Sequence, residues 1–125
     1  MPGKIFSYDE AQALIPDIRR LTEAANERLL AYRKRLGRET ADSATAVKLQ
    51  EWITALVARW SQDVLDVGAL PKGLWTVDFD SGRGYFYCWA LGESELSHSH
   101  SYEAGFRGRK PLSEEQKLPP PHLLN

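Results

Sequence analysis

The sequence has 125 residues, of which 26% are charged and 42% hydrophobic, and its formal net charge is -1. This composition excludes a wholly disordered chain, and the near-neutral charge gives no general attraction to nucleic acids or acidic membranes. There is no stretch of roughly 20 apolar residues, no cationic leader before an apolar run, and only one cysteine, so we expect a cytoplasmic protein with a free thiol.

A long helix is predicted near the N-terminus. Ser7 and Glu10 have the spacing of a capping box, and Pro16 is expected to kink the helix or divide it in two. Gly37 is expected to end the helix in a left-handed conformation. The basic residues just before Gly37 complement the helix dipole, so they do not indicate a nucleic-acid site. Apolar residues recur in steps of three and four at Ile18, Leu21, Ala25, Leu29, Tyr32 and Leu36.

A second helix is predicted after a short polar connection, with Asp42 or Ser43 as its N-cap and Gly68 at its end. The short connection predicts an antiparallel helical hairpin over residues 7–68. The apolar positions of this second helix are Leu49, Ile53, Leu56, Trp60, Val64 and Val67.

The second helix has a wider apolar face than one partner helix covers, because Trp52 and Val57 extend it. The surplus face must meet either the C-terminal half of the chain or a second copy, and we predict a homodimer in which two hairpins bury Trp52, Val57 and Trp60 between them.

The pattern changes to period two after residue 72, which predicts strands. Trp75, Val77 and Phe79 alternate with Thr76 and Asp78, and the aromatic residues at 85, 87 and 89 alternate with Phe86, Cys88 and Ala90. Residues 80–84 are predicted to form a hairpin loop, and a third strand is predicted over residues 95–100. The fold class is therefore α+β: a helical hairpin, a small antiparallel β-meander and an extended C-terminal tail. We predict a single domain over residues 1–112, with the meander and site loop at 73–112 and a proline-rich tail at 113–125.

Four short motifs follow one another in the second half of the chain: VDF at residues 77–79, CWALGE at 88–93, His100, and GFRGRKPL at 105–112. As a set they resemble the uncharacterised bacterial family called domain of unknown function 2203, whose members read V-D-F, L-C-W-R-L-G-E, W-H-E and G-F-A-G-R-x-P-L in that order. The chain departs from the family at Ala90, where the family has Arg, and at Ser99 and Ser101, where it has Trp and Glu. The resemblance implies a site in this region and no particular reaction.

The first hypothesis for that site is a divalent transition metal. His98 and His100 are two residues apart, so on a strand both rings lie on the same face, and Glu93 and Glu103 are close enough in sequence to add oxygen ligands. A solvated His-x-His segment is the alternative. Metal binding requires neutral imidazoles, so it should weaken below the unperturbed histidine pKa of roughly 6.5.

The second hypothesis is a small-anion-binding or protein-interaction module without catalysis. Arg107 and Arg109 carry forked donors suited to a carboxylate or phosphate, and Trp89 or Tyr102 would supply an apolar wall. Anion binding should strengthen when the histidines are protonated. In the alternative, Arg109 pairs with Asp78 or Glu93 and holds the loop against the sheet.

A third hypothesis is catalysis by Cys88 with His100 and Glu93 or Asp78. Cys88 lies inside an aromatic strand and shares its face with Phe86, where a free cysteine is usually a buried small hydrophobe. Whether the protein is an enzyme is not decided by the sequence. In either case we predict that one concave site collects Asp78, Glu93, His100, Glu103 and Arg109.

Overall fold

The structure is a computed structural model that describes residues 4–119. It has two long helices, α1 at Tyr8–Leu36 and α2 at Ala44–Asp66, followed by a five-stranded antiparallel sheet. The strands are β1 at Leu70–Pro71, β2 at Thr76–Asp80, β3 at Tyr85–Ala90, β4 at His98–Ser101 and β5 at Lys110–Pro111. A 3-10 turn at Phe106–Gly108 precedes β5, and a helical turn, α3, at Glu114–Lys117 follows it. The predicted α+β class is confirmed.

Helix α1 begins with the predicted capping box. The Glu10 N–H donates to the Ser7 Oγ at 3.1 Å, and the Ser7 N–H donates to the Glu10 Oε1 at 2.9 Å. The helix continues through Pro16, so it is not divided there, which was one of the two predicted alternatives. Pro16 is exposed, whereas Ile15 and Ile18 on either side of it are buried in the core, so packing of the flanking turns keeps the helix continuous.

The glycines that follow the two long helices differ in backbone conformation. Gly37 ends α1 with φ -63°, a right-handed conformation, and its N–H bonds to the Arg33 carbonyl, so the predicted left-handed ending is wrong. Gly68 follows α2 with φ 91°, as the sequence predicted. Ser43 is the N-cap of α2, where its hydroxyl accepts from the Ala46 N–H at 3.0 Å.

The strands follow one another in the order β1-β2-β3-β4-β5, which is the predicted meander with a two-residue strand added at each edge. The third predicted strand lies later in the chain than expected, at His98–Ser101, because Leu96 is buried in the core and its N–H donates to the Gln12 side chain of α1. One face of the sheet packs on the helical hairpin and contributes the buried residues Val77, Phe79, Tyr85, Tyr87 and Trp89.

The segment predicted as an extended tail begins differently. Ser113 and Gln116 form a second capping box that starts the helical turn α3, and the Gln116 side chain also accepts from the Ser99 hydroxyl at 3.2 Å. Residues 120–125 of the predicted tail lie outside the described residues. Within residues 4–119, no helix has the length and apolarity to cross a membrane.

Candidate functional site

The sheet face that lies away from the helices carries a buried polar cluster, formed by Asp78 on β2, Cys88 on β3 and His100 on β4. Strand register places Asp78 directly opposite Cys88, and His100 opposite Phe86, two residues before Cys88 on the same face. The exposed fractions are 1% for Asp78, 0% for Cys88 and 3% for His100. One ligand atom from each of the three residues lies within 4.8 Å of the others.

The histidine ring is held at both nitrogens. Nδ1 lies 2.9 Å from the Ser101 carbonyl oxygen, and Nε2 lies 3.1 and 3.0 Å from the two carboxylate oxygens of Asp78. A carbonyl oxygen can only accept, so Nδ1 carries the proton of this bond. Nε2 then faces the carboxylate either with a second proton or with its lone pair directed at a shared cation.

The Cys88 thiol is protonated at neutral pH in the protein without a bound cation. Burial, followed by the negative charge of Asp78, raises its pKa to about 12, and the nearby Arg109 guanidinium opposes this only in part. A nucleophilic cysteine needs a lowered pKa and a base that is free to take its proton. Both nitrogens of His100 are already engaged, so the geometry does not favour the third hypothesis.

A small cavity adjoins the cluster on the outer side of the sheet. Its volume is about 100 Å³, and all three cluster residues line it. The rest of the wall comes from the β1–β2 connection, from β2 and β3, and from the segment after β4; these residues are Lys72, Thr76, Phe86, Tyr102, Gly105 and Phe106. The buried polar atoms of the cluster are therefore next to a space that can admit a ligand.

A second polar cluster lies beside the first and joins the loop ends to the sheet. Glu93 Oε1 accepts from the Ala90 N–H at 2.7 Å and from the Arg109 guanidinium at 2.7 Å. Arg109 also donates to the Cys88 carbonyl oxygen at 3.0 Å, and His98 Nδ1 lies 3.1 Å from Glu93 Oε2. Within residues 4–119, the buried Nε of Arg109 has no hydrogen-bond partner. Burial alone would lower the pKa of Arg109, but its bonds to Glu93 and Cys88 outweigh burial and raise it.

The structure divides the residues that the sequence assigned to one concave site. Asp78 and His100 are in the first cluster, whereas Glu93 and Arg109 are in the second, together with His98, which the sequence proposed as a metal ligand. Glu93 is not beside His100 because it folds back to cap the Ala90 N–H at the end of β3. Arg109 pairs with Glu93, which is one of the two partners considered from the sequence.

Three other predicted site residues, Glu103, Arg107 and Trp89, do not line the cavity. Glu103 and Arg107 are both exposed on the segment between β4 and β5, so Glu103 does not take part in the predicted convergence. Trp89 is fully buried, and its strand alternation directs it to the helix-facing side of the sheet, so it does not line the cavity.

Cys88 was the cluster member that sequence reasoning placed only in the catalytic hypothesis. A signal for a different role was present in two strands, since Asp78 and Cys88 both alternate with the large apolar residues of their strands. Using it required the register of β2 on β3 and of β3 on β4, which the sequence did not provide.

The sequence was compared with family models, curated proteins and solved structures. The family model described as Uncharacterized conserved protein (DUF2203) matches residues 4–112, a range that includes both long helices, the whole sheet and both polar clusters. No curated protein and no solved structure matches the chain. The chain therefore belongs to this family of uncharacterised conserved proteins, as its motifs in the second half suggested.

Proposed function

We propose that the protein binds one divalent transition metal ion between Asp78, Cys88 and His100. The observation that carries this proposal is the mutual approach, within 4.8 Å, of a carboxylate oxygen, a thiol sulfur and an imidazole nitrogen that are all buried. Buried ionisable groups are costly unless they are paired or bind a metal, and here three of them meet at one point.

The ligand chemistry favours zinc. Sulfur, nitrogen and oxygen donors together suit Zn²⁺. Three protein ligands leave the fourth coordination position free, as in catalytic zinc sites. Ligand atoms bound tetrahedrally at about 2.0–2.3 Å lie about 3.3–3.8 Å apart. The distance between His100 Nε2 and Asp78 Oδ2 is 3.0 Å, slightly shorter than this separation. All three ligand atoms lie within 4.8 Å of one another, which is at most slightly longer than it. Small side-chain rotations would therefore suffice to form the site.

The hydrogen bonds around the cluster also suit a metal. His100 donates its Nδ1 proton to the Ser101 carbonyl, which leaves the Nε2 lone pair for an ion and fixes the orientation of the ring. A dication would replace the proton of the Cys88 thiol, whose pKa is raised by burial and by Asp78. The carboxylate, the thiolate and the dication then sum to zero charge, which removes the electrostatic cost of burying Asp78.

This ligand set revises the one predicted from the sequence. His100 is retained, Asp78 and Cys88 are added, and Glu93 and His98 belong to the neighbouring cluster. The anion-binding alternative has less support, because Arg109 is already paired with Glu93 and only Arg107 is freely exposed.

The test is a metal titration of protein purified without an affinity tag and dialysed against a chelator. Cobalt(II) is the probe, since a thiolate ligand gives it a charge-transfer absorption band. We expect about one equivalent to bind, with the thiolate band present. His100→Ala and Cys88→Ser should each weaken cobalt binding by about 100-fold or more. Loss of a group that only hydrogen-bonds to a metal ligand already costs about 10–100-fold in metal affinity.

The matched control is His98→Ala, which removes the other histidine of the same strand and the same face. It should leave cobalt affinity within about threefold, because His98 contacts Glu93 and is not part of the buried cluster. Circular dichroism of each variant verifies that it folds. An equal loss in His98→Ala and His100→Ala, or no thiolate band in the parent, would contradict the proposal.

A further inference from the structure

We infer that the proposed metal centre takes a small monoanion from solvent into the cavity that adjoins it. This inference rests on the proposed metal site and adds the class of ligand. It draws on three independent features of the cavity: its size, the charges at its rim and the apolar rings in its wall.

The size of the cavity limits the ligand to a few non-hydrogen atoms. A volume of about 100 Å³ corresponds to roughly three water molecules at about 30 Å³ each. Sites for cofactors and larger metabolites have volumes of about 300–1,000 Å³, so a nucleotide would not fit inside this cavity. Carboxylates with one or two carbons, bicarbonate and azide are of the right size.

The charges around the cavity favour a ligand with a single negative charge. The proposed centre is neutral once Asp78 and Cys88 bind a dication as anions. Lys72 lies at the rim, with its Nζ 5.7 Å from the centroid of the Phe86 ring, and adds one positive charge. Among the described residues that line the cavity, Asp78 is the only acid. A monoanion would therefore be attracted by both the metal and Lys72.

The carboxylate of Asp80, which contacts a residue of the cavity wall, has hydrogen-bond partners of its own. Asp80 lies just outside the cavity wall, but its Oδ1 accepts from the Tyr102 hydroxyl at 2.6 Å and from the Gly82 N–H at 2.8 Å. Tyr102 therefore lines the cavity with its ring while its hydroxyl is engaged. Together with Phe86 and Phe106, it gives an aromatic wall, which would shield one side of a bound anion from water.

The experiment uses the cobalt-loaded full-length protein and follows its visible absorption as sodium azide or sodium acetate is added at constant ionic strength. We expect each anion to change the cobalt bands in a saturable way, with one binding event. Lys72→Met should lower the affinity for each anion by about two- to fivefold, which is the range for a single exposed charge pair. Cobalt affinity and the thiolate band should stay unchanged in this variant.

Lys110→Met is the matched control, because Lys110 is also exposed and belongs to the same sheet but does not line the cavity. Its anion affinity should equal that of the parent. Cobalt bands that do not respond to either anion, or equal losses in the two lysine variants, would overturn the inference while the metal site stands. Absence of the thiolate band in the parent would instead remove the metal site and the inference together.

Discussion

Thr22 is a buried polar residue that connects the two long helices. Its hydroxyl donates to the Ile18 carbonyl at 2.7 Å and accepts from the Trp60 indole N–H at 2.9 Å. Trp60 in turn packs edge-on against Trp75, with ring centroids 5.0 Å apart, and the Trp75 indole donates to Asn26. The hydrogen bonds therefore fix two large aromatic side chains at the point where both helices meet the sheet.

Thr22→Val should destabilise the protein by about 1–3 kcal/mol, because the isosteric valine leaves the buried Trp60 N–H without an acceptor. The measurement is the free energy of unfolding in urea. Thr54→Val, at an exposed position of α2, is the control and should change stability by less than about 0.5 kcal/mol. Equal stabilities of Thr22→Val and the parent would show that the Trp60 N–H finds another partner.

For individual residues, the sequence predicted which side chains share a strand face but not which side chains they contact. Period two correctly indicated that Cys88 shares its face with Phe86 and that His98 and His100 share a face. It did not indicate that His100 reaches Asp78 while His98 reaches Glu93, since this depends on how far each strand is offset from its neighbour. Trp75 adopts φ 59°, an unusual conformation for a non-glycine residue, and no local sequence signal predicts it.

Helix α1 shows how packing of an element can outweigh a local sequence preference. Proline lacks an N–H and crowds the preceding turn, and it costs about 3 kcal/mol in a helix interior relative to alanine. Ala11, Ile15 and Ile18 are each no more than 2% exposed, so both sides of Pro16 are anchored in one core. The helix remains continuous because breaking it would expose these residues.

Pro16→Ala should therefore stabilise the protein, by about 1–3 kcal/mol, through recovery of the missing backbone hydrogen bond and of helix propensity. Pro16 is exposed, so the substitution opens no cavity. Urea unfolding measures the effect, and Asp17→Ala, at the adjacent exposed position, should change stability by less than about 0.5 kcal/mol. A lower stability of Pro16→Ala than of the parent would mean that the proline ring itself contributes to packing.

The predictability of the other elements follows their length. The two helices and the strands β2 and β3 have enough residues for a clear period, and all four were predicted. Strands β1 and β5 have two residues each, which is too short to show alternation. The turn α3 was missed because its capping box, Ser113 with Gln116, was read as part of a proline-rich tail.

On the scale of the whole molecule, the two layers use their outer surfaces differently. The outer side of the sheet carries the buried polar clusters and the small cavity. The outer side of the hairpin carries exposed apolar residues on both helices, among them Leu30, Val47 and Trp52, which are 55%, 49% and 43% exposed. Trp60, which the sequence had assigned to a dimer interface, is 2% exposed and belongs to the core of the single chain. Any association through the hairpin therefore depends on Trp52 and its neighbours.

We expect self-association through the hairpin, because Trp52, Tyr32, Ala55 and Leu56 line a groove, with Arg28 and Arg59 also in its wall, that a second hairpin would cover. Sedimentation velocity at several micromolar concentrations should show a dimer, and Trp52→Glu should convert it to monomer, since a charge at the centre of such an interface is strongly unfavourable. Leu74→Glu is the control, because Leu74 is 44% exposed, nearly the same as Trp52, but lies on the connection between β1 and β2. This variant should remain dimeric. A parent protein that sediments only as monomer, or a Leu74→Glu variant that dissociates as readily as Trp52→Glu, would contradict an interface on the hairpin.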